Sequence, residues 1–194
     1  MDYIASINKG LTDKKTHAEI VRKVLLTFPT LALIGEEERQ FEILNEISQY
    51  FNIPINSIQV TGSAKVGQSF HKLSIFTPKI SDLDVAIINA DLFIRYSELV
   101  YRLTNGFSDK TTFSKSDGNS NFSQYTKYIS KGIFRPDLMP TCTDRAKWNK
   151  FFGQLSSKHR DLFKSISAGI YLSQTYFEYK QTSIIKDYIT NNPI

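Results

Sequence analysis

Two short stretches indicate the fold of this chain: VTGSAKVG at residues 60–67 and SDLDVAII at residues 81–88. The first begins at the end of a short predicted strand over residues 57–60, which leads into a Gly-Ser pair. The second places Asp82 and Asp84 at the start of a strand rich in branched apolar residues, as a buried strand should be. Because side chains alternate along a strand, both aspartates are expected to point to the same face.

These residue types suit the binding of a metal–triphosphate complex. Two nearby carboxylates repel each other, and a cation stabilises their ionised forms. Mg²⁺ takes oxygen ligands from one or two carboxylates and from substrate phosphates. Gly62 allows a tight turn and a close approach of phosphate, Ser63 adds a hydroxyl donor, and Lys65 adds a positive charge. Each half alone also fits a structural role, the aspartates at a strand end and Gly-Ser as an ordinary turn.

Together the two stretches resemble the nucleotidyltransferases of the DNA polymerase β superfamily. The signature of that family is an apolar residue, Gly-Gly or Gly-Ser, a spacer, and then Asp-x-Asp leading an apolar strand. The resemblance implies an α/β (α+β) fold, in which helices flank a small mixed β-sheet. Residues 1–140 would form the nucleotidyltransferase domain with N-terminal helices, and residues 141–194 a C-terminal helical segment packed on it. The spacer, residues 64–81, is longer than in minimal members, and residues 70–80 are predicted to be a small insertion.

A third carboxylate is expected from RPDLMP at residues 135–140. This stretch resembles the third-acid strand of the oligoadenylate-synthase and bacterial cyclic-oligonucleotide-synthase branch. By that resemblance Asp137 would ligate the catalytic metal and help to deprotonate the attacking hydroxyl. Pro136 departs from the pattern, because it lacks a backbone donor and suits an edge strand. The alternative is a turn between prolines in which Asp137 has a structural role.

The resemblance implies transfer of a nucleotidyl group from a nucleoside triphosphate, with ATP expected, to a hydroxyl, and release of pyrophosphate. Two Mg²⁺ ions would clamp the attacking and leaving oxygens. The residues implied are Asp82, Asp84 and Asp137 for catalysis and metal binding, and Gly62, Ser63 and Lys65 for the nucleotide.

The expected acceptor is a protein or an RNA; a small molecule such as an aminoglycoside, or another nucleotide, stays an alternative. Family analogy suggests a bacterial toxin–antitoxin or antiviral (phage-defence) setting. Two alternatives stay open: a non-catalytic nucleotide- or nucleic-acid-binding module, and a protein that keeps the fold and binds a partner through its C-terminal helix.

Hydrophobic periodicity predicts the remaining elements. Helices are expected over residues 14–28 and 36–51, and after Asp91. Residues 125–130 and 133–138 are predicted to form a hairpin. A long final helix is predicted from Leu162, Ile166, Ile170 and Phe177 and should end near Ile189.

Composition sets limits on partners and location. The 194 residues carry a formal net charge of +5 and a pI of about 9.2, which favours polyanionic partners. The single cysteine, Cys142, excludes an intramolecular disulfide. The first residues lack the layout of a signal peptide, and the most apolar stretch, residues 24–34, is too short to span a bilayer. A cytoplasmic protein without a membrane partner is therefore expected.

Overall fold

The computed structural model describes residues 2–70, 74–116 and 119–191 of the chain. Its α-helices are α1 (Tyr3–Thr12), α2 (His17–Val21), α3 (Glu37–Phe51), α4 (Gly62–Val66), α5 (Ala90–Leu103), α6 (Asn121–Ile129), α7 (Thr143–Lys158) and α8 (Gln174–Asn191). Its strands are β1 (Ile58–Thr61), β2 (Leu83–Ile88), β3 (Lys115–Ser116), β4 (Asn119–Ser120), β5 (Ile133–Phe134) and β6 (Ile166–Tyr171). A π-helical segment, Arg22–Thr27, continues α2, and short 3₁₀ turns cover Leu31–Leu33, Ile55–Ser57 and Pro136–Leu138.

A mixed four-stranded sheet with the order β1-β2-β6-β5 forms the centre of the fold. β1 runs antiparallel to β2, β2 runs parallel to β6, and β5 runs antiparallel to β6. Thr61 pairs with Asp84, and Asp84 pairs with Ser167. The expected α/β fold with a small mixed sheet flanked by helices is therefore confirmed at this level.

The two faces of the sheet pack into two apolar clusters. Leu83, Val85 and Ile87 point to one face, where they join apolar residues of α3, α5 and α7. Ala86 points to the other face, where the cluster draws on α1, α2, the π-helical segment and α8. By the alternation along β2, Asp84 lies on this second face, which is called the cleft face below.

The N-terminal helices are fixed by local signals and by an ion pair. Thr16 and Glu19 form a capping box at the start of α2, which satisfies two backbone donors of the first turn. Arg22, the first residue of the π-helical segment that continues α2, forms an ion pair with Glu178 of α8 at 2.9 Å. The buried carboxylate of Glu178 thus ties α8 to the N-terminal helices above the cleft face.

Two sequence-based expectations are wrong. Residues 125–129 belong to α6, and the short β5 pairs with β6, so the expected hairpin of residues 125–138 does not form. Ile166 and Ile170 lie in β6 and not in the final helix, which begins at Gln174. The i, i+4 spacing of these isoleucines suits a helix, but pairing with β2 buries both of them in the sheet.

Residues 141–194 therefore contain a strand of the central sheet as well as helices. Their separation from residues 1–140 as a second unit stays a prediction. The expected insertion at residues 70–80 lies partly outside the described residues, since residues 71–73 are not described. Residues 77–81 form a tight turn that leads to β2.

Candidate functional site

The backbone of Gly62 lies directly against the carboxylate of Asp84. A β-carbon built on Gly62 would lie 2.6 Å from Asp84 Oδ2, and the φ of Gly62 is +69°. Both the close approach and the left-handed backbone favour glycine. Thr61, the preceding residue, donates through Oγ1 to the backbone oxygen of Asp84 at 3.3 Å. The structure thus joins the two sequence stretches at one end of the sheet.

Each aspartate of the pair has a serine partner on the neighbouring part of the sheet. Ser165 Oγ donates to Asp82 Oδ1 at 2.8 Å, and Ser167 Oγ donates to Asp84 Oδ1 at 3.3 Å. Asp84 is exposed, whereas Asp82 is half-buried. The pair Asp82-x-Asp84 is therefore matched by Ser165-x-Ser167, because β2 and β6 run parallel with Asp84 in register with Ser167.

A cleft of about 900 Å³ opens beside this end of the sheet. Ligand pockets in proteins span roughly 300–1,000 Å³, so a nucleotide would fit. Cleft-face residues that contribute to its lining include Thr61, Gly62, Asp84, Tyr128, Arg135, Asp137, Ser167, Gly169 and Tyr171. Burial, and next the charge of Asp84, raises the pKa of Tyr171 to about 12, so this phenol stays protonated at neutral pH.

Asp137 lies in the same cleft as Asp84 but is held by Arg135. Arg135 donates from Nε to Asp137 Oδ1 at 3.0 Å and from Nη2 to Oδ2 at 2.6 Å. The Arg135 guanidinium also lies 5.0 Å from the ring centre of Tyr128. Arg145 donates to the backbone oxygen of Asp137 at 2.8 Å, which holds this 3₁₀ turn in place.

The sheet order determines how near Asp137 can come to the aspartate pair. β6 lies between β2 and β5, so the chain at β5 runs two strand spacings, roughly 10 Å, from β2. Asp137 follows β5 closely in sequence, at the end of the sheet where Asp84 lies. The cleft thus brings together Gly62, Asp84 and Asp137, while ligation of one metal by all three aspartates stays a prediction.

Ser63 and Lys65 are both residues of α4. Ser63 is half-buried, and its backbone oxygen accepts from Gly67 N at 2.8 Å. Lys65 is buried, and its Nζ donates to the backbone oxygen of Phe28 at 2.7 Å. Burial lowers the pKa of Lys65 to about 8. A contact between Lys65 and phosphate would require this ammonium to leave Phe28, and the nucleotide role of both residues stays a prediction.

The donor set of the pair fits a hard divalent cation that arrives with a nucleotide. Asp82 and Asp84 offer carboxylate oxygens, and Mg²⁺ completes its coordination with water and substrate phosphates. Among residues 2–70, 74–116 and 119–191, no group of three or more His, Cys, Asp or Glu side chains is placed to hold a metal.

The two serines beside the aspartates were missed in the sequence. Their signal is the alternation Ser165-x-Ser167 at the start of β6, which mirrors Asp82-x-Asp84 at the start of β2. The prediction of a helix over this segment hid that alternation.

No helix within the described parts of the chain has both the length and the apolar character needed to cross a membrane. Comparison with protein-family models, curated proteins and solved structures gives no match to the chain.

Proposed function

We propose that this chain is an Mg²⁺-dependent nucleotidyltransferase with a fold of the polymerase β type. It moves a nucleoside monophosphate group from a nucleoside triphosphate, with ATP expected, to a hydroxyl of a protein or RNA acceptor. The first of the two stretches that resemble this family runs from the end of β1 into α4, and the second leads into β2, the neighbour of β1 in the sheet.

The main support is the contact between Gly62 and Asp84. The two residues are far apart in sequence, yet a β-carbon on Gly62 would lie 2.6 Å from Asp84 Oδ2. A turn that only connects β1 to α4 does not require its backbone to approach a carboxylate. A site for a metal-bound phosphate requires this approach, because backbone donors and carboxylate oxygens must reach neighbouring atoms of one ligand.

Asp82 and Asp84 would hold the Mg²⁺ that accompanies the triphosphate. When bound, the ion neutralises phosphate charge and makes the α-phosphorus more electrophilic. Ser165 and Ser167 orient the two carboxylates by donating one hydrogen bond to each. Gly62 leaves the backbone open to phosphate, and the half-buried Ser63 adds a hydroxyl beside it.

The reaction is an in-line displacement at the α-phosphorus. The acceptor oxygen forms a bond to that phosphorus, the bond to the α–β bridging oxygen breaks, and pyrophosphate leaves. Asp137 takes the proton of the acceptor hydroxyl as general base. Its ion pair with Arg135 gives way at this point, which leaves the guanidinium free to bind a phosphate oxygen.

A second candidate is a nucleotide-binding module that does not catalyse transfer. One observation favours it: β6, the parallel neighbour of β2, presents Ser167 and not a carboxylate beside Asp84. If Asp137 stays paired with Arg135 when nucleotide binds, Asp137 is not available as a base for the acceptor hydroxyl.

The two candidates are separated by following a label. The purified chain is incubated with each α-³²P nucleoside triphosphate, Mg²⁺, and either total RNA or total protein. The label should move to one acceptor class in the wild type and stay free with Asp84→Asn. Asp91→Asn serves as the matched control, because it removes the same charge from an exposed position on α5.

Calorimetry of nucleotide binding, with Mg²⁺ and with EDTA, is measured alongside. Binding that requires Mg²⁺ and Asp84, without any transfer, selects the binding module. Absence of binding, or binding that is unchanged in Asp84→Asn, contradicts both candidates.

A further inference from the structure

Two loops beside the aspartate pair are joined by backbone hydrogen bonds. Residues 77–81 lead to β2 and residues 160–165 lead to β6; together they are called the rim. Lys79 N donates to Leu162 O at 2.8 Å, and Lys164 N donates to Ser81 O at 3.0 Å. Asp82 directly follows Ser81, so the rim adjoins the aspartate pair along the chain.

The rim carries three exposed cations, Lys79, Arg160 and Lys164. Its single acidic residue, Asp161, forms an ion pair with Arg39 of α3 at 2.8 Å. The exposed charge of the rim is therefore positive. A positive surface attracts the closely spaced phosphates of a nucleic acid.

The turn at residues 77–81 holds Lys79 in a conformation that favours glycine. Its φ is +66°, and Pro78 precedes it as in a turn that requires φ > 0 at the next position. Ser81 N donates to Thr77 O at 2.9 Å, and Thr77 N donates to Ser81 Oγ at 2.9 Å. A lysine kept in such a position points to a role for its ammonium group.

Two exposed apolar side chains lie close to the cations in sequence. Ile80, within the turn, is 70% exposed, and Ile75, just before it, is 74% exposed. A single-stranded nucleic acid offers both phosphates and the apolar faces of unstacked bases. The rim matches this combination with its exposed cations and its two exposed isoleucines.

We propose that the rim binds the backbone of a single-stranded RNA and directs its terminal hydroxyl towards the cleft that contains Asp84 and Asp137. This inference rests on the proposed function and names RNA as its acceptor class. The net charge of +5 supports the choice of a polyanion.

The test measures binding of a fluorescein-labelled single-stranded RNA by anisotropy, in EDTA and without nucleotide, so that it does not depend on transfer. The test variant is Lys79→Gly combined with Lys164→Ala, and glycine is chosen because it suits the turn. The matched control is Lys147→Ala with Lys150→Ala, which removes two exposed cations of α7. Along the helix axis, both lysines lie about 12 Å or more from Lys158, the end of α7 that leads into the rim.

The rim variant should bind RNA about tenfold more weakly at 0.15 M salt, and the slope of log K against log[salt] should shrink by about 1.4, as for two lost phosphate contacts. The control pair should change neither value by more than about twofold. Equal losses in both variants, or no RNA binding by the wild type, overturn the proposal. Binding to vesicles that contain phosphatidylserine, without binding to RNA, also overturns it and assigns the rim to a membrane surface.

Failure of the proposed transferase function and failure of the RNA-binding proposal give different experimental results. RNA binding that depends on the rim, without nucleotidyl transfer to any acceptor, contradicts the transferase and leaves the RNA surface standing. Transfer to a protein, with no RNA binding, contradicts the rim alone.

Discussion

At the scale of single residues, the position of Gly62 strongly favours glycine over any other residue. A left-handed backbone costs a non-glycine residue roughly 1–2 kcal/mol, and a β-carbon here would meet Asp84 Oδ2 at 2.6 Å. Replacing glycine also lowers the conformational entropy of the unfolded chain, and this effect alone raises the free energy of unfolding by about 0.4–1 kcal/mol. Gly62→Ala should therefore lower the free energy of unfolding by about 1–3 kcal/mol in urea denaturation.

Gly153→Ala is the matched control for that substitution. Gly153 lies within α7, and a β-carbon there would have no neighbour within 4 Å. Alanine should raise the free energy of unfolding by about 0.5–1 kcal/mol at this position. Equal effects of the two substitutions would mean that Asp84 does not press on Gly62 in solution.

Lys79 is the reverse case of Gly62, because a residue other than glycine has a left-handed backbone there. If the ammonium is kept for binding at the expense of stability, Lys79→Gly should be more stable than Lys79→Ala. Both variants remove the charge, and only alanine keeps a β-carbon. The backbone penalty, less the entropy of glycine in the unfolded chain, predicts a difference of about 0.5–1 kcal/mol. Urea denaturation of the pair measures it, and a more stable alanine variant would show that the turn is unstrained.

At the scale of elements, the contact between α7 and α3 contains a buried titratable group. His159 follows the last residue of α7 and is buried, and its Nε2 has no hydrogen-bond partner within the described structure. Burial, and then the charges of Lys158 and Arg39, lowers the pKa of His159. The unfolded chain therefore binds a proton more readily than the folded chain does. His159 should cost stability as the pH falls below its unfolded pKa of about 6.5.

Urea denaturation at pH 7.5 and pH 5.5 tests this pH dependence. The wild type should lose more stability between the two values than His159→Gln, which stays polar but does not titrate in this range. Because carboxylates titrate equally in both proteins, the difference between the two losses isolates His159. Parallel losses would place its folded pKa at the ordinary value.

The sequence predicted the elements whose pattern has one physical interpretation. β2 was predicted correctly, because a run of branched apolar residues after two aspartates suits a strand buried on both faces. The strand that contains Ile166 and Ile170 was not predicted, since the spacing of these residues also suits one face of a helix. Only pairing with β2 decides between the two, and a single sequence does not contain that contact.

The candidate site was predictable to a similar extent. The motif placed Gly62 and Asp84 together, and the structure does so as well. Ser165 and Ser167 could not be found once their segment was assigned to a helix. The hydrogen bonds of Asp137 with Arg135 could not be predicted from the sequence either, because a residue in a 3₁₀ turn and the residue that precedes the turn can face each other or diverge.

At the scale of the whole molecule, the cleft is lined by the end of the sheet, by α1 and α8 on its second face, and by α7 on its first face. Ile7 of α1 and Ile184 of α8 line it together with Asp84. Arg22 and Glu178 join the covering helices to each other. A ligand in this cleft contacts both ends of the chain, so its binding energy should stabilise the entire fold and not a local segment.

The last prediction follows from that linkage. A ligand that binds only the folded state, at 100 times its dissociation constant, adds about 2.7 kcal/mol of stability. For a chain of this size each kcal/mol raises Tm by about 2–4 °C, so ATP with Mg²⁺ should raise Tm by about 5–10 °C. ATP with EDTA should not, because the triphosphate and the carboxylates of Asp82 and Asp84 then repel each other in a partly dehydrated cleft. Asp84→Asn should lose most of the Mg²⁺-dependent shift, whereas Asp91→Asn should keep it. A shift of the same size in EDTA would place the nucleotide away from these carboxylates, since only the metal turns their repulsion into bridging contacts.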